Sequence, residues 1–264
     1  MRVFAYTICY NEARKIEFFV DYYSRFCDKI FIYDNQSTDG CIDLVRGNPK
    51  VEVMSFDTAG TIDNVAFKDI KSHAWKKDRL GLDWVIACDV DEFLYADRNL
   101  RELLQEYMDR GINLPCVNGF EMVSDVFPEP GGLLPEKVRR GYYCGLYSKN
   151  IVFRPRGLYD INFECGCHKC YPKGDLVTLP PGLREDYYAM MSKPEQPESP
   201  LKMLHFRRLG HEHFRERNTE YSRMVFRLYD VQPENAYAAA AEESREAFDQ
   251  VVNSSAVRDV VTVM

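Results

Sequence analysis

Trp84-Val85-Ile86-Ala87-Cys88-Asp89-Val90-Asp91-Glu92-Phe93-Leu94 is the stretch on which the reading of this chain turns. A short apolar run ends in two aspartates one residue apart and a glutamate, and then apolar residues resume. The run has the length and composition of a buried strand. Its acids then fall just past the carboxyl end, where open α/β sheets bind ligands. Adjacent acids at such a place repel one another and cost desolvation unless a positive charge compensates. Hard divalent cations take carboxylate oxygens, and magnesium often shares them with substrate phosphates. Two readings follow: a metal–diphosphate site, or a strand end with solvated acids, because D-x-D alone is a short pattern.

Upstream, residues 2–10 are almost continuously apolar and β-favouring, as a strand covered on both faces requires. Asn11-Glu12-Ala13 then opens a helix in which Ile16, Phe19, Val20 and Tyr23 recur at helical spacing. A second strand, 29–33, also ends in an acid, Asp34, and Asn35-Gln36-Ser37-Thr38-Asp39-Gly40 is dense in turn formers. The pattern predicts a short helix over 41–46, a strand over 51–56 and a helix over 62–77, with Asn64, Lys68 and Lys71 on one face. Such alternation argues for an α/β fold, a doubly wound and mostly parallel sheet with acids along one edge.

Downstream, Leu100, Leu103, Leu104 and Tyr107 form the stripe of a helix over 99–110, after which the alternation lapses. Residues 117–123 and 141–154 read as strands, separated by the Pro- and Gly-rich 127–135. Residues 173–200 read as a long loop, 202–206 as a last strand, and 212–229 and 234–251 as closing helices. The chain thus divides into a nucleotide half at 1–126, an irregular acceptor-side half at 127–210 and C-terminal helices at 211–264.

At 264 residues the chain can bury a substantial core, and its formal net charge of −7 argues against a general nucleic-acid binder. No signal peptide and no membrane-length apolar run are visible. The nine cysteines, an odd number scattered along the chain, read as reduced thiols. The expectation is a soluble cytoplasmic protein.

Ile8-Cys9-Tyr10-Asn11-Glu12, then Tyr33-Asp34-Asn35-Gln36-Ser37-Thr38-Asp39-Gly40, then Asp89-Val90-Asp91-Glu92-Phe93-Leu94 together resemble the GT-A-type, family-2-like nucleotide-sugar glycosyltransferases. Leu204-His205-Phe206-Arg207-Arg208, followed by His213-Phe214, resembles that group's closing histidine segment. The resemblance implies a GT-A-like fold and a metal-dependent, inverting transfer of a sugar from a nucleoside-diphosphate donor. It implies that Tyr10 stacks on the nucleobase with Asn11 and Glu12 nearby, and that Asp34 accepts hydrogen bonds from base or ribose. Asp89 would lie near ribose and metal, Asp91 would be the principal ligand of Mn2+ or Mg2+, and His205 would approach from the C-terminal side. Lys68, Arg207 and Arg208 are candidate cations for the departing diphosphate. UDP is the favoured nucleotide, with GDP and dTDP open, and the acceptor is a saccharide or a lipid-linked hydroxyl.

Inverting transfer also needs a carboxylate to deprotonate the acceptor. Glu121, Asp125, Glu164 and Glu185 follow the metal motif, and Asp125 is selected for its place just past a strand. Cys165-Gly166-Cys167-His168-Lys169-Cys170 invites a zinc reading, but no second paired knuckle accompanies it, which favours a reduced loop near the acceptor site. His168 is either a substrate contact there or a loop histidine. Arg215, Arg217, Arg223 and Arg227 make the penultimate helix basic, so it either lies peripherally on anionic membrane or packs on the domain with its arginines solvated. Three rival functions stand beside the transferase. A nucleotidyltransferase generally needs a Gly-rich, Arg-bearing loop where this chain has Tyr10-Asn11-Glu12-Ala13. A D-x-D-x-T-type phosphatase is disfavoured by Phe93, and a nucleotide- or sugar-binding module without catalysis is the third.

Overall fold

Every residue of Val3–Cys9 is buried, and this strand, β1, is the centre of the first sheet. The computed structural model describes residues 1–184, 186–227 and 234–262. After β1 come α1 (Ile16–Tyr23), β2 (Lys29–Asp34), α2 (Cys41–Val45) and β3 (Val51–Ser55), then β4 (Thr61–Asp63), α3 (Asn64–His73) and β5 (Trp84–Asp89). Strands β3, β2, β1 and β5 lie side by side in that order, all parallel. Side chains alternate between the two faces of a strand. On one face of β1 the Tyr6 hydroxyl reaches Asp78 at 3.0 Å; on the other, Cys9 meets Cys41 of α2 at 3.6 Å. Cys88 of β5 shares the Cys9 face and contacts the Tyr23 hydroxyl of α1, whereas Asp89 shares the Tyr6 face with α3. Helices therefore cover both faces. The fold is α/β, with a doubly wound parallel core as the alternation predicts.

A second sheet is built from both sides of the Pro-rich break. The chain continues through β6 (Glu92–Tyr95), α4 (Leu100–Asp109), β7 (Asn118–Ser124), α5 (Leu134–Lys137), β8 (Arg140–Tyr143), β9 (Val152–Phe153), β10 (Leu158–Asp160) and β11 (Lys173–Gly174). It ends with β12 (Lys202–Leu209), α6 (His211–Ser222), β13 (Val225–Arg227), α7 (Glu234–Ala241), α8 (Arg245–Val252) and β14 (Arg258–Asp259). The order is β14-β8-β7-β12-β6, with β12 parallel to β7 and antiparallel to β6, while β9 closes the first sheet beside β5. Residues 1–126 and 127–210 thus interleave in space.

Aromatic packing holds the two sheets together at the acidic turn. Phe93 and Phe206 meet edge to face at 5.0 Å, with Phe19, Tyr22 and Tyr23 of α1 around Phe93. The Tyr23 hydroxyl donates to the Glu92 carbonyl and accepts from the Leu94 N–H, and the Tyr22 hydroxyl donates to the Leu94 carbonyl. Both buried hydroxyls are satisfied by backbone just past the aspartates, so α1 fixes that turn.

The structure departs from the sequence pattern at several elements. The strand expected over 141–154 is broken by a 3-10 turn at Gly145–Tyr147. The turn packs closely at two glycines: a Cβ on Gly119 would lie 2.1 Å from the Tyr147 carbonyl carbon and a Cβ on Gly145 2.3 Å from the Lys193 carbonyl oxygen. The helix expected over 62–77 begins only at Asn64, because Ile62 and Asp63 pair with β13 and Asp63 caps the helix, and from Ala74 to Gly81 it passes into a 3-10 helix. The helix expected over 234–251 divides into α7 and α8, the second capped by Ser244. That over 212–229 ends at Ser222 and gives way to β13, and residue 229 lies outside the described residues. Residues Glu92–Tyr95 form the strand β6, and the last strand runs past Phe206 to Leu209.

Gly119→Ala places its methyl inside the Tyr147 backbone, so overpacking lowers stability by about 2 kcal/mol or more. The urea midpoint of unfolding measures it. A midpoint unchanged from wild type would refute the close approach.

Candidate active site

The register of the second sheet assembles the centre of the site. On β12, His205 lies opposite Glu92 of β6 on one side and opposite Glu121 of β7 on the other. Its Nδ1 is 3.2 Å from a Glu121 oxygen, its Nε2 is 3.8 Å from Asp91 Oδ2, and its ring stacks on Tyr147 at 3.8 Å. Burial alone would lower the His205 pKa, but Glu121 and then Asp91 outweigh it and raise it. Glu121 thus orients the imidazole and fixes which nitrogen faces Asp91.

These residues open onto a cleft of about 370 Å³ at the carboxyl edge of the parallel sheet, lined also by Tyr10, Glu12, Lys15, Asn64 and Lys149. The acids of the turn do not stand as solvated carboxylates. Lys71 Nζ, buried on α3, lies 2.5 Å from Asp89 Oδ1. Lys15 Nζ lies 3.5 Å from Asp91 and 3.2 Å from Glu12, and Lys149 pairs with Glu92. Arg217 reaches in from α6 and donates to Glu12 Oε1 and to the Tyr10 carbonyl, both at 2.7 Å. Burial pushes the Asp91 carboxyl up, but Lys15, His205 and Lys149 together hold it well below the usual carboxylate range. Asp89 is likewise lowered, with Lys71 offsetting its burial. Glu12, Asp89, Asp91 and Glu92 in the lining face Lys15, Lys149, Arg207 and Arg217, with Lys71 behind Asp89. A cleft that has neutralised its own acids is suited to an anionic ligand.

The other expected site residues fall at varied distances from this centre. Tyr10, Glu12, Asp89, Asp91, His205 and Arg207 all line the cleft. Asn11 has a φ of 52° and ties two loops together: its N–H donates to the Ser37 hydroxyl, its Oδ1 accepts from Thr38 N–H, and its amide donates to Glu220. Asp34 accepts from the Ser37 N–H at 3.2 Å beside Cys9 and Cys41. Lys68 lies near Cys165, and it is Lys71, one turn on, that pairs with Asp89. Arg208 pairs with Glu243. Asp125 is exposed on the turn after β7 and is not part of the cleft lining. Of the other candidate bases, Glu121 is buried behind His205, Glu164 sits in a loop, and Glu185 lies outside the described residues. Arg215 donates to the Ala241 carbonyl and Arg217 turns into the cleft, so this part of the basic helix packs on the protein.

Lys15, Lys71, Lys149, Arg217 and Tyr147 belong to no motif in the sequence that marks them as site residues. Lysine is almost never fully buried, so a single chain gives little sign of which ones are. For Lys15 there was one usable signal, its place one helical turn after Glu12.

Donor chemistry allows Asp91 and His205 to share a divalent ion with Asp89, since carboxylate oxygen and imidazole suit manganese or magnesium. Among the described residues, one group brings three ligand atoms within 4.8 Å of one another, and it is Cys9, Asp34 and Cys41. Residues 165–170 form no such group among the described residues; His168 of that segment lines the cleft, its Nδ1 2.8 Å from the Leu146 carbonyl.

His168 and His213 are both depressed to about 3, by burial first and then by Lys149 and Lys15 respectively. Each is neutral in the folded cleft at neutral pH, while in the unfolded chain it protonates below about 6.5. The unfolded state therefore binds more protons between those values, and stability falls as pH drops from about 6.5 towards 3. His168→Asn should flatten this acid limb in urea titrations. An acid limb as steep as wild type would contradict the neutral assignment.

No protein-family model matches the chain, and no curated protein matches it. Solved structures show distant likenesses. One is 4-diphosphocytidyl-2C-methyl-D-erythritol synthase, at 13% identity and a TM-score of 0.33, over 91% of this chain and 98% of that one. Another is mannose-1-phosphate geranyltransferase from Thermus thermophilus, at 9% identity and a TM-score of 0.29, over 55% of this chain and 48% of that one. A third is UDP-glucose pyrophosphorylase complexed with UDP-glucose, at 9% identity and a TM-score of 0.28, over 54% of this chain and 67% of that one. Among the described residues no helix is long and apolar enough to cross a membrane.

Proposed function

We propose that this chain is a metal-dependent glycosyltransferase that moves a sugar from a nucleoside-diphosphate donor, UDP first among the candidates, to an acceptor hydroxyl with inversion. The observation that carries the reading is the convergence of Asp91 and His205, 3.8 Å apart, at the sheet's carboxyl edge within a cleft rich in buried cations. A donor diphosphate is doubly anionic and gains charge as it leaves. Lys15, Lys149, Arg207 and Arg217 line the cleft where that charge would develop, held there by Glu12, Asp91, Glu92 and Asn218. Asp91, Asp89 and His205 would hold Mn2+ or Mg2+, which adds Lewis-acid stabilisation of the leaving diphosphate. Tyr10, just past β1 in the cleft lining, would stack on the nucleobase, and Asp34 at the end of β2 would give one carboxylate oxygen to base or ribose, leaving its other oxygen for a separate ligand. The ordered motifs quoted above support the same assignment. The acceptor is a saccharide or lipid-linked hydroxyl that would pass its proton to a carboxylate base as the new glycosidic bond forms, and the enzyme would act in the cytoplasm, free or peripheral to a membrane.

A thermal-shift panel of UDP, GDP, dTDP and CMP with and without manganese tests the donor site, because a ligand that binds only the native state raises the melting temperature. One nucleoside diphosphate should raise it by several degrees with metal and much less without. No shift with any nucleotide under any metal condition would defeat the reading. A nucleotidyltransferase would be revealed instead by release of pyrophosphate from a nucleoside triphosphate and a sugar phosphate.

A further inference from the structure

Cys9 closes β1 and Cys41 opens α2, and their sulfurs lie 3.6 Å apart with neither side chain exposed. A carboxylate oxygen of Asp34, at the end of β2, completes a group whose three ligand atoms all fall within 4.8 Å of one another. Two thiolates on one tetrahedral zinc ion, each bonded at about 2.3 Å, stand about 3.8 Å apart. The two sulfurs are thus already spaced as the edge of a zinc tetrahedron. We propose that Cys9, Cys41 and Asp34 form a binding site for a thiophilic divalent cation, zinc being the natural occupant, separate from the hard-ion chemistry of Asp91.

The ligand types separate the two places. Thiolates select soft and borderline ions, whereas the carboxylate oxygens at the end of β5 suit manganese or magnesium. The chain path also fits. The three ligands come from three elements that meet at one edge of the parallel sheet, so one ion would tie the ends of β1 and β2 to the start of α2. Asp34 is half-buried rather than enclosed, which leaves an approach for the ion from its side. Binding releases the thiol protons to solvent as two Zn–S bonds form, with no change of oxidation state.

Cobalt(II) supplies the probe, since thiolate ligation gives a near-ultraviolet charge-transfer absorption that oxygen and nitrogen ligands do not. One equivalent of Co2+ added to the reduced full chain should give this band, and Zn2+ should bleach it. Cys9→Ala or Cys41→Ala should abolish the band, while Asp91→Asn and Cys167→Ala should retain it. Asp34→Asn, which leaves both thiols in place, should weaken Co2+ binding at least tenfold and guards against a cysteine variant that fails to fold. No band in the wild type, or a band that survives Cys41→Ala or disappears in Cys167→Ala, would overturn the assignment.

Discussion

Asp91→Asn should lower kcat/KM for nucleotide-sugar cleavage by about 1000-fold, equivalent to about 4 kcal/mol of lost transition-state stabilisation. The substitution keeps the side chain's size and removes its charge. In the wild type Asp91 remains ionised well into acid, since Lys15 and His205 outweigh the effect of its burial. It is also the carboxylate that His205 faces at 3.8 Å, so its charge is the one a divalent ion would share with the imidazole. The fold should survive, because Lys15 keeps Glu12 at 3.2 Å as a partner and Glu121 still holds His205. The combination is diagnostic: a large loss of activity beside a melting temperature within a few degrees of wild type. Steady-state kinetics across a manganese titration, with a melting curve of the same preparation, provides both numbers.

Lys149→Met should cost about 3–5 kcal/mol of stability, the range found when one member of a buried ion pair is removed. Lys149 and Glu92 are 4% and 1% exposed at the side chain, and Lys149 also bears on Asp89. Methionine fills the volume but leaves the enclosed Glu92 carboxyl without its lysine partner, close in the chain to Asp89 and Asp91. Replacing Glu92 by glutamine in the same chain should recover much of the loss, because the amide keeps an oxygen for the Asp89 N–H and carries no charge. Urea midpoints of the two single variants and the double variant form the cycle. Additive losses would mean the pair is not coupled.

The first hundred residues were legible because both halves of their signal are local. Apolar runs ending in Cys9, Asp34 and Asp89 mark strands, and turn formers and helical stripes mark what joins them. The second sheet was less legible because its pairings are long-range. β12 lies between β6 and β7, more than eighty residues earlier in the chain, and nothing in residues 92–95 announces an antiparallel partner. The same limit governs the site. Asp89, Asp91 and His205 were visible as motif residues, while the register that sets His205 between Glu92 and Glu121 was not. Lys71 illustrates the point on a smaller scale. Its face on α3 could be drawn from helical spacing, but Lys68 shared that face, and only the packing of α3 over β5 separates them.

Incubation of the wild type with a panel of nucleotide sugars and Mn2+, with products followed by phosphorus NMR, tests the central claim most directly. A glycosyltransferase site should release the nucleoside diphosphate from one donor, slowly to water and faster when its acceptor is supplied, and Asp91→Asn should not. If every donor is left intact, or if the product is a nucleoside monophosphate or pyrophosphate, the cleft serves another chemistry.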